Sequence, residues 1–215
     1  QNTVVQTHEV GGTPIGKKLR DICFTTTDEK LDPRARLLMV LASRLQHINE
    51  VIRPALKAGS IVVTDRYELS TLVYNVDLDN QSRLYSELPL DALGVDIKPD
   101  LYILLDVDHE VAFKRGRARP DVDNDTYKQN LDQARQVKDA YWRRALQAKH
   151  EGVLVRAIKT DGSPEEVEQE LSRLASTVEH LSQPDKCHGG IASGYLNIWS
   201  AGESGPRSGL ETNNG

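Results

Sequence analysis

Ser60-Ile61-Val62-Val63-Thr64-Asp65-Arg66-Tyr67 is the stretch that decides the fold. Ile61, Val62 and Val63 are β-branched and run without polar alternation, the pattern of a strand covered on both faces. Three similar apolar runs occupy residues 3–7, 101–107 and 153–158. Between the first run and Ile61, the residues Leu37, Leu38, Leu41, Leu45, Ile48, Ile52 and Leu56 recur at helical spacing and form one stripe. Pro54 falls inside that segment and should kink or end it. Residues 125–149 read as a mostly polar, solvated helix. Ser163-Pro164-Glu165-Glu166 is a capping box with proline at the first helical position. It opens a helix whose Val167, Leu171, Leu174, Val178 and Leu181 should face the core. Doubly buried strands separated by helices predict an α/β three-layer sandwich around a parallel sheet.

The bulk properties agree. The chain has 215 residues, 27 Lys and Arg against 32 Asp and Glu, and two Cys. That length suits one domain, and two lone cysteines predict a reducing, cytoplasmic setting rather than a disulfide scaffold. A net charge of −5 leaves no footprint for coating nucleic acid. No apolar run reaches the ~20 residues of a membrane span, and the first residues lack the regions of a signal peptide. Composition shifts near Leu181: residues 182–215 hold seven of the fifteen glycines, interleaved with Ser, Asn and Pro. This predicts a domain over 1–181 and a mobile tail over 182–215, with one strand-like exception, Tyr195-Leu196-Asn197-Ile198-Trp199.

In such a sheet, ligands bind beyond the carboxyl ends of the strands. Polar constellations follow three of the four runs. His8-Glu9-Val10-Gly11-Gly12-Thr13-Pro14 is a tight turn into a helix whose free N–H groups suit an anion. Gly-Gly alone reads equally well as an ordinary strand-to-helix turn. Thr64-Asp65-Arg66-Tyr67 sets a guanidinium, which forks a phosphate, beside a carboxylate, which orients Mg²⁺ or a nucleophilic oxygen. An isolated Asp-Arg pair is more often a surface ion pair. Lys114-Arg115-Gly116-Arg117-Ala118-Arg119 could clamp a polyphosphate, or equally form a solvated helix face.

Together these pieces resemble the bacterial and phage thymidylate kinases. The family's Arg-Glu-Pro-Gly-Gly-Thr turn corresponds to His8 through Thr13. Its Ala-Ala-Arg-x-Gln-His corresponds to Ala42-Ser43-Arg44-Leu45-Gln46-His47, and its Val-Ile-x-Pro-Ala-Leu to Val51-Ile52-Arg53-Pro54-Ala55-Leu56. Its Asp-Arg-Tyr followed by Ser-Thr-x-x-Tyr-Gln corresponds to Asp65-Arg66-Tyr67 and Ser70-Thr71-Leu72-Val73-Tyr74-Asn75. Five motifs in register run from about residue 3 to 181. The resemblance implies a P-loop nucleoside monophosphate kinase that moves the ATP γ-phosphate to dTMP in nucleotide biosynthesis. It implies Asp65, Arg66, Arg115 and Arg119 as catalytic, and Asp65 and Glu9 as Mg²⁺ ligands. Glu9, Arg44, Arg66, Thr71, Tyr74 and Asn75 would hold dTMP. Arg66 would grip its 5′-phosphate, Thr71 the base edge, Tyr74 the deoxyribose, and Arg44 the phosphate or the thymine carbonyl. Arg115, Arg117 and Arg119 would close a lid over ATP, within about residues 114–130. A homodimer is implied as well.

Four departures touch ligand positions rather than the scaffold. No Gly-x-x-x-x-Gly-Lys-Ser/Thr occurs in the chain. The family carries that loop on a central first strand ahead of residues 3–7, so an N-terminally truncated chain, a poorly packed sheet and no ATP turnover are expected. The strand-like segment ending at Ser200 is a candidate for the gap, but Ala201-Gly202-Glu203-Ser204-Gly205 brings no phosphate-binding Lys. His8 and Val10 replace Arg and Pro. Val40 replaces the aromatic that stacks on the base, a loss worth ~1–3 kcal/mol. Asn124-Asp125-Thr126-Tyr127 replaces the lid's Asp-Arg-x-Glu. Asn75 for Gln is milder. Two alternatives remain: a non-catalytic nucleotide-binding relative, and a kinase for a modified deoxyuridylate. His47, His109, His150 and His180 are dispersed without metal-ligand spacing, and no Gly-x-Ser-x-Gly elbow supports hydrolase chemistry.

Overall fold

A computed structural model describes residues 3–24, 29–95, 97–117, 130–181 and 195–200. The four apolar runs become β1 (Val4–His8), β2 (Ile61–Asp65), β3 (Leu101–Asp106) and β4 (Leu154–Lys159). A fifth strand, β5 (Tyr195–Ser200), completes a parallel sheet in the order β1-β2-β5-β3-β4. β5 comes from the predicted tail and lies at the centre. Val63 pairs with Leu196 and Leu196 with Leu101, so one row runs unbroken across β2, β5 and β3. The gap expected beside β2 is therefore filled, and the ladder groups of β2 and β3 that would have lacked partners have them.

Burial follows position in the sheet. Every residue of β3 is buried, whereas β1 alternates between exposed and half-buried and β4 is mostly exposed. The expectation of strands covered on both faces holds for the interior strand and fails at the two edges, where each strand has one neighbour and less helix above it.

Helices α1 (Pro14–Phe24) and α2 (Pro33–His47) follow β1. Asp32 caps α2, its side chain accepting from the Arg34 amide at 2.8 Å, with Pro33 in the first turn. Pro54 does not end the helix. A π-helical turn (Ile48–Ile52) carries α2 into α3 (Arg53–Lys57), whose first turn accommodates the missing proline N–H. Leu37, Leu41, Ile48 and Ile52 are buried as the stripe predicts, but Leu38 is exposed.

After β2 come α4 (Glu68–Thr71), a second π-helical turn (Leu72–Leu78), α5 (Ser82–Glu87) and α6 (Leu90–Leu93). After β3 come α7 (His109–Arg117) and α8 (Leu131–His150), the latter capped by Asn130, which accepts from the Gln133 amide at 2.8 Å. One face of α8, with Ala134, Val137, Ala140, Tyr141, Ala145 and Ala148, is buried. Helix α9 (Pro164–Leu181) carries the predicted capping box: the Glu166 amide donates to Ser163 Oγ at 3.3 Å, and the Ser163 amide to the Glu166 carboxylate at 2.9 Å.

Three layers result. On one face Tyr102 and Leu104 of β3 pack with Val137 and Tyr141 of α8, and Val62 of β2 packs with Ile48 and Ile52. On the other, Ile103 and Leu105 meet Leu171 and Leu174 of α9.

Candidate active site

The carboxyl ends of the strands converge on one edge. Thr7 pairs with Thr64 and His8 with Asp65, and the Glu9 amide donates to the Asp65 carbonyl at 2.9 Å. This places the first two constellations side by side. The turn after β1 needs its glycines: Gly11 has φ +122°, and a Cβ on Gly12 would stand 2.7 Å from the His47 ring.

That ring belongs to a buried network. Arg44 and His47, three residues apart, share one face of α2 and both reach Glu9. Arg44 Nε donates to Glu9 Oε2 at 2.9 Å, and His47 Nδ1 lies 3.1 Å from Oε1. Arg44 also donates to Thr71 Oγ1 at 2.6 Å and stacks 4.5 Å above the Tyr67 ring. His47 Nε2 lies 2.6 Å from Thr7 Oγ1. The Arg44 and Glu9 side chains are only 2% and 4% exposed. Burial opposes the Arg44 charge, but Glu9 beside it raises the guanidinium above its ordinary pKa. A buried charge is tolerable only when paired and hydrogen-bonded in this way.

The second constellation is more open. Asp65 is exposed and Arg66 half-buried at the end of β2. Arg66 adopts φ +64°, a left-handed conformation costly for a side chain with Cβ, and its carbonyl accepts from Thr64 Oγ1 at 3.1 Å. Its guanidinium lies 5.7 Å from the Tyr74 ring centre, and Tyr74 meets Tyr141 edge-on at 6.0 Å. The structure thus brings Arg66 and Tyr74 together. Asn75 and Val40 are buried.

Geometry changes what several residues offer. Both Glu9 oxygens are engaged by α2, so a cation would compete with Arg44 and His47 for them. Thr71 presents its oxygen to Arg44. His8 is held below its ordinary pKa, first by burial and then by the Arg20 charge. The third constellation is only partly within the described residues. Arg115 donates to the carbonyls of Thr160 at 2.8 Å and Gly162 at 3.4 Å. Arg117 ends α7, and Arg119, with residues 118–129 of the predicted lid, lies outside the described residues.

Two clusters escaped the sequence reading. Asp106, at the end of β3, receives Trp142 Nε1 at 3.2 Å and Lys138 Nζ at 3.0 Å, with Lys159 at 3.5 Å. Burial alone would raise its carboxyl, but the hydrogen bonds from Lys138 and Trp142 and the nearby charges hold it below its ordinary value. Glu68 accepts from Lys98 at 2.6 Å and Tyr102 at 3.1 Å. It borders a cleft of about 710 Å³ that also involves Tyr85, Leu90 and Arg144. The Tyr85 hydroxyl is pushed up to about 12 by burial and by Glu68. Both clusters join residues thirty or more positions apart, a distance no local motif spans.

The thymidylate kinase family profile covers residues 1–171. Thymidylate kinase of Pseudomonas fluorescens strain Pf0-1 is 33% identical over 186 residues, 84% of each chain. The chain belongs to the thymidylate kinase family. Thymidylate kinase of Cereibacter sphaeroides strain ATH 2.4.9 is 40% identical over 117 residues, so the chain spans about half (54%) of that relative's length. The crystal structure of thymidylate kinase from Ehrlichia chaffeensis shares the fold, with a TM-score of 0.56 and 23% identity over 80% of this chain and 81% of that one. The family match ends before β5, which the sheet nevertheless holds at its centre. Among the described residues, no helix is long and apolar enough to cross a membrane.

Proposed function

We propose that this chain is built to bind dTMP at the β1–β2 edge and, where a phosphate-binding loop is supplied, to receive the γ-phosphate of ATP onto it, as a Mg²⁺-assisted nucleoside monophosphate kinase. The supporting observation is the juxtaposition of Arg66, in a left-handed bend at a strand end, with Tyr74 and the Glu9–Arg44–Thr71 network, in a chain of the thymidylate kinase family. Arg66 holds the 5′-phosphate in a fork, and Tyr74 packs against the sugar. Arg44, preorganised by Glu9, offers charge to the nucleotide without reordering.

The donor set fits a hard cation. Mg²⁺ retains several waters and takes only one or two carboxylates besides phosphate oxygens, and Asp65 is an exposed carboxylate beside the phosphate-binding Arg66. Among the described residues no group of three acidic, His or Cys side chains could enclose a metal. When bound, the ion would neutralise charge on the transferred phosphoryl group. On the donor side Arg115, with Arg117 and Arg119 in sequence, supplies positive charge. β5 runs parallel to β3, with Ser200 opposite Leu105, so the chain leaves β5 beside Asp106. A homodimer, the family's usual assembly, completes the reading.

The test is calorimetric titration with dTMP, beside dUMP, dCMP and dGMP, followed by a coupled ADP-release assay with Mg-ATP. Selective dTMP binding that Arg66→Ala abolishes is expected. Equal binding of all four nucleotides, or binding unchanged in the variant, would refute the site.

A further inference from the structure

The sequence leaves His47 without a role, yet its ring is 1% exposed and touches Glu9 on one side and Thr7 on the other. Glu9 forms an ion pair with Arg44, and carboxylate oxygens accept hydrogen bonds, so His47 Nδ1 must be the donor. Nε2 is then free to accept from the Thr7 hydroxyl. That tautomer leaves the buried set with one negative charge, Glu9, and one positive, Arg44. A protonated ring would leave a surplus buried charge.

We propose that His47 is a positioning residue for the nucleotide-binding arginine, acting through Glu9. Arg44 Nε holds one Glu9 oxygen and His47 the other, so the carboxylate cannot rotate about its terminal bond without breaking a bond to α2. With the carboxylate fixed, the guanidinium is fixed against Thr71 and the Tyr67 ring. Thr7 sets the far end of the imidazole from β1, tying strand, turn and helix into one unit. The close approach of Gly12 to the ring, which no Cβ would permit, shows that the turn is shaped around His47. The inference rests on the reading of Arg44 as a dTMP-binding residue.

Two substitutions separate the contacts. The amide nitrogen of Asn can take the place of Nδ1, whereas that of Gln takes the place of Nε2. His47→Asn should therefore keep dTMP affinity within about threefold, and His47→Gln should lower it roughly ten- to hundredfold, as for loss of a hydrogen bond to a buried charge. In an Arg44→Lys background the Asn–Gln difference should collapse, because the guanidinium being positioned is gone. Nitrogen-15 NMR of the wild-type chain should show His47 protonated on Nδ1. The Arg44 Nε–H resonance should persist in the Asn variant and shift or vanish in the Gln variant. Equal dTMP affinities for the two variants, an Nε2-protonated ring, or an Arg44 signal indifferent to both would overturn the proposal. If wild type fails to bind dTMP, the functional reading falls, and the two NMR signatures still decide whether His47 positions Arg44.

Discussion

The two halves of the strand-end edge are built differently. On the β1–β2 side, Glu9, Arg44, His47 and Thr71 form a closed network whose members sit within 65 residues of one another in sequence. On the β3–β4 side, Asp106 gathers Lys138, Trp142 and Lys159 from two later elements, while Arg115 spends its donors on backbone carbonyls. Between them stands β5, which arrives from near the end of the chain. A site assembled on one strand–helix–strand unit is preorganised by local packing. A site assembled across the middle of the sheet depends on whichever strand fills it.

The largest effect should come from β5. A chain ending at residue 194 would leave the facing edges of β2 and β3 without partners, and β3 is buried along its whole length. The expected outcome is loss of cooperative urea unfolding, a deficit comparable to the about 5–15 kcal/mol of a typical domain. A synthetic peptide spanning the missing strand should restore part of the transition. An unchanged midpoint would remove β5 from the sheet and dissolve the contrast between the two halves.

Next comes Arg44→Met. Removing one partner of a buried ion pair strands the other, at about 3–5 kcal/mol. Glu9 would be left with His47 alone. Combining Arg44→Met with Glu9→Gln should recover a good part of that loss, and a denaturation series would show it. If Arg44→Met costs less than ~1 kcal/mol, the network is not the preorganised half.

How much of this could be read from sequence depends on how far apart the partners lie. The four apolar runs, the capping box and the motifs around Arg44 and Asp65 are local, and their elements stand where the pattern places them. Arg66 and Tyr74 meet because eight residues of strand-end turn and helix fix their separation. His47 looked idle because its partners, Thr7 and Glu9, lie on a different strand and turn. The Asp106 and Glu68 clusters were invisible for the same reason. Strand-like residues 195–200 were noticed, but only pairing with β2 and β3 reveals them as central, since glycine-rich surroundings disguise a strand that neighbours stabilise.

Asp106→Asn probes the other half more gently. Its carboxyl is held below the usual range, so its folded-state pKa lies below its unfolded one. The stabilisation is fully present above the ordinary Asp value of about 3.9 and is lost as pH falls through the depressed folded value. Near pH 7 the variant should be less stable by about 1 kcal/mol, and the two curves should converge below the ordinary value. Curves that stay parallel down to acid unfolding would mean that the charge of Asp106 contributes nothing there.

The smallest effect tests whether the β1–β2 side stores strain for its task. Arg66 sits at φ +64°, where a Cβ crowds the backbone and glycine does not. Arg66→Ala and Arg66→Gly both remove the guanidinium and its contact with Tyr74, so comparing them cancels the lost interactions. What differs is the left-handed bend. Alanine retains the conformational penalty, while glycine relieves it at some cost in unfolded-state entropy. The glycine variant should therefore unfold later than the alanine variant by about 1 kcal/mol, with both equally unable to bind dTMP. The reverse order of stability would show that the bend relaxes to a right-handed conformation once the arginine is gone. The guanidinium contacts, and not the neighbouring backbone, would then be what holds Arg66 in place.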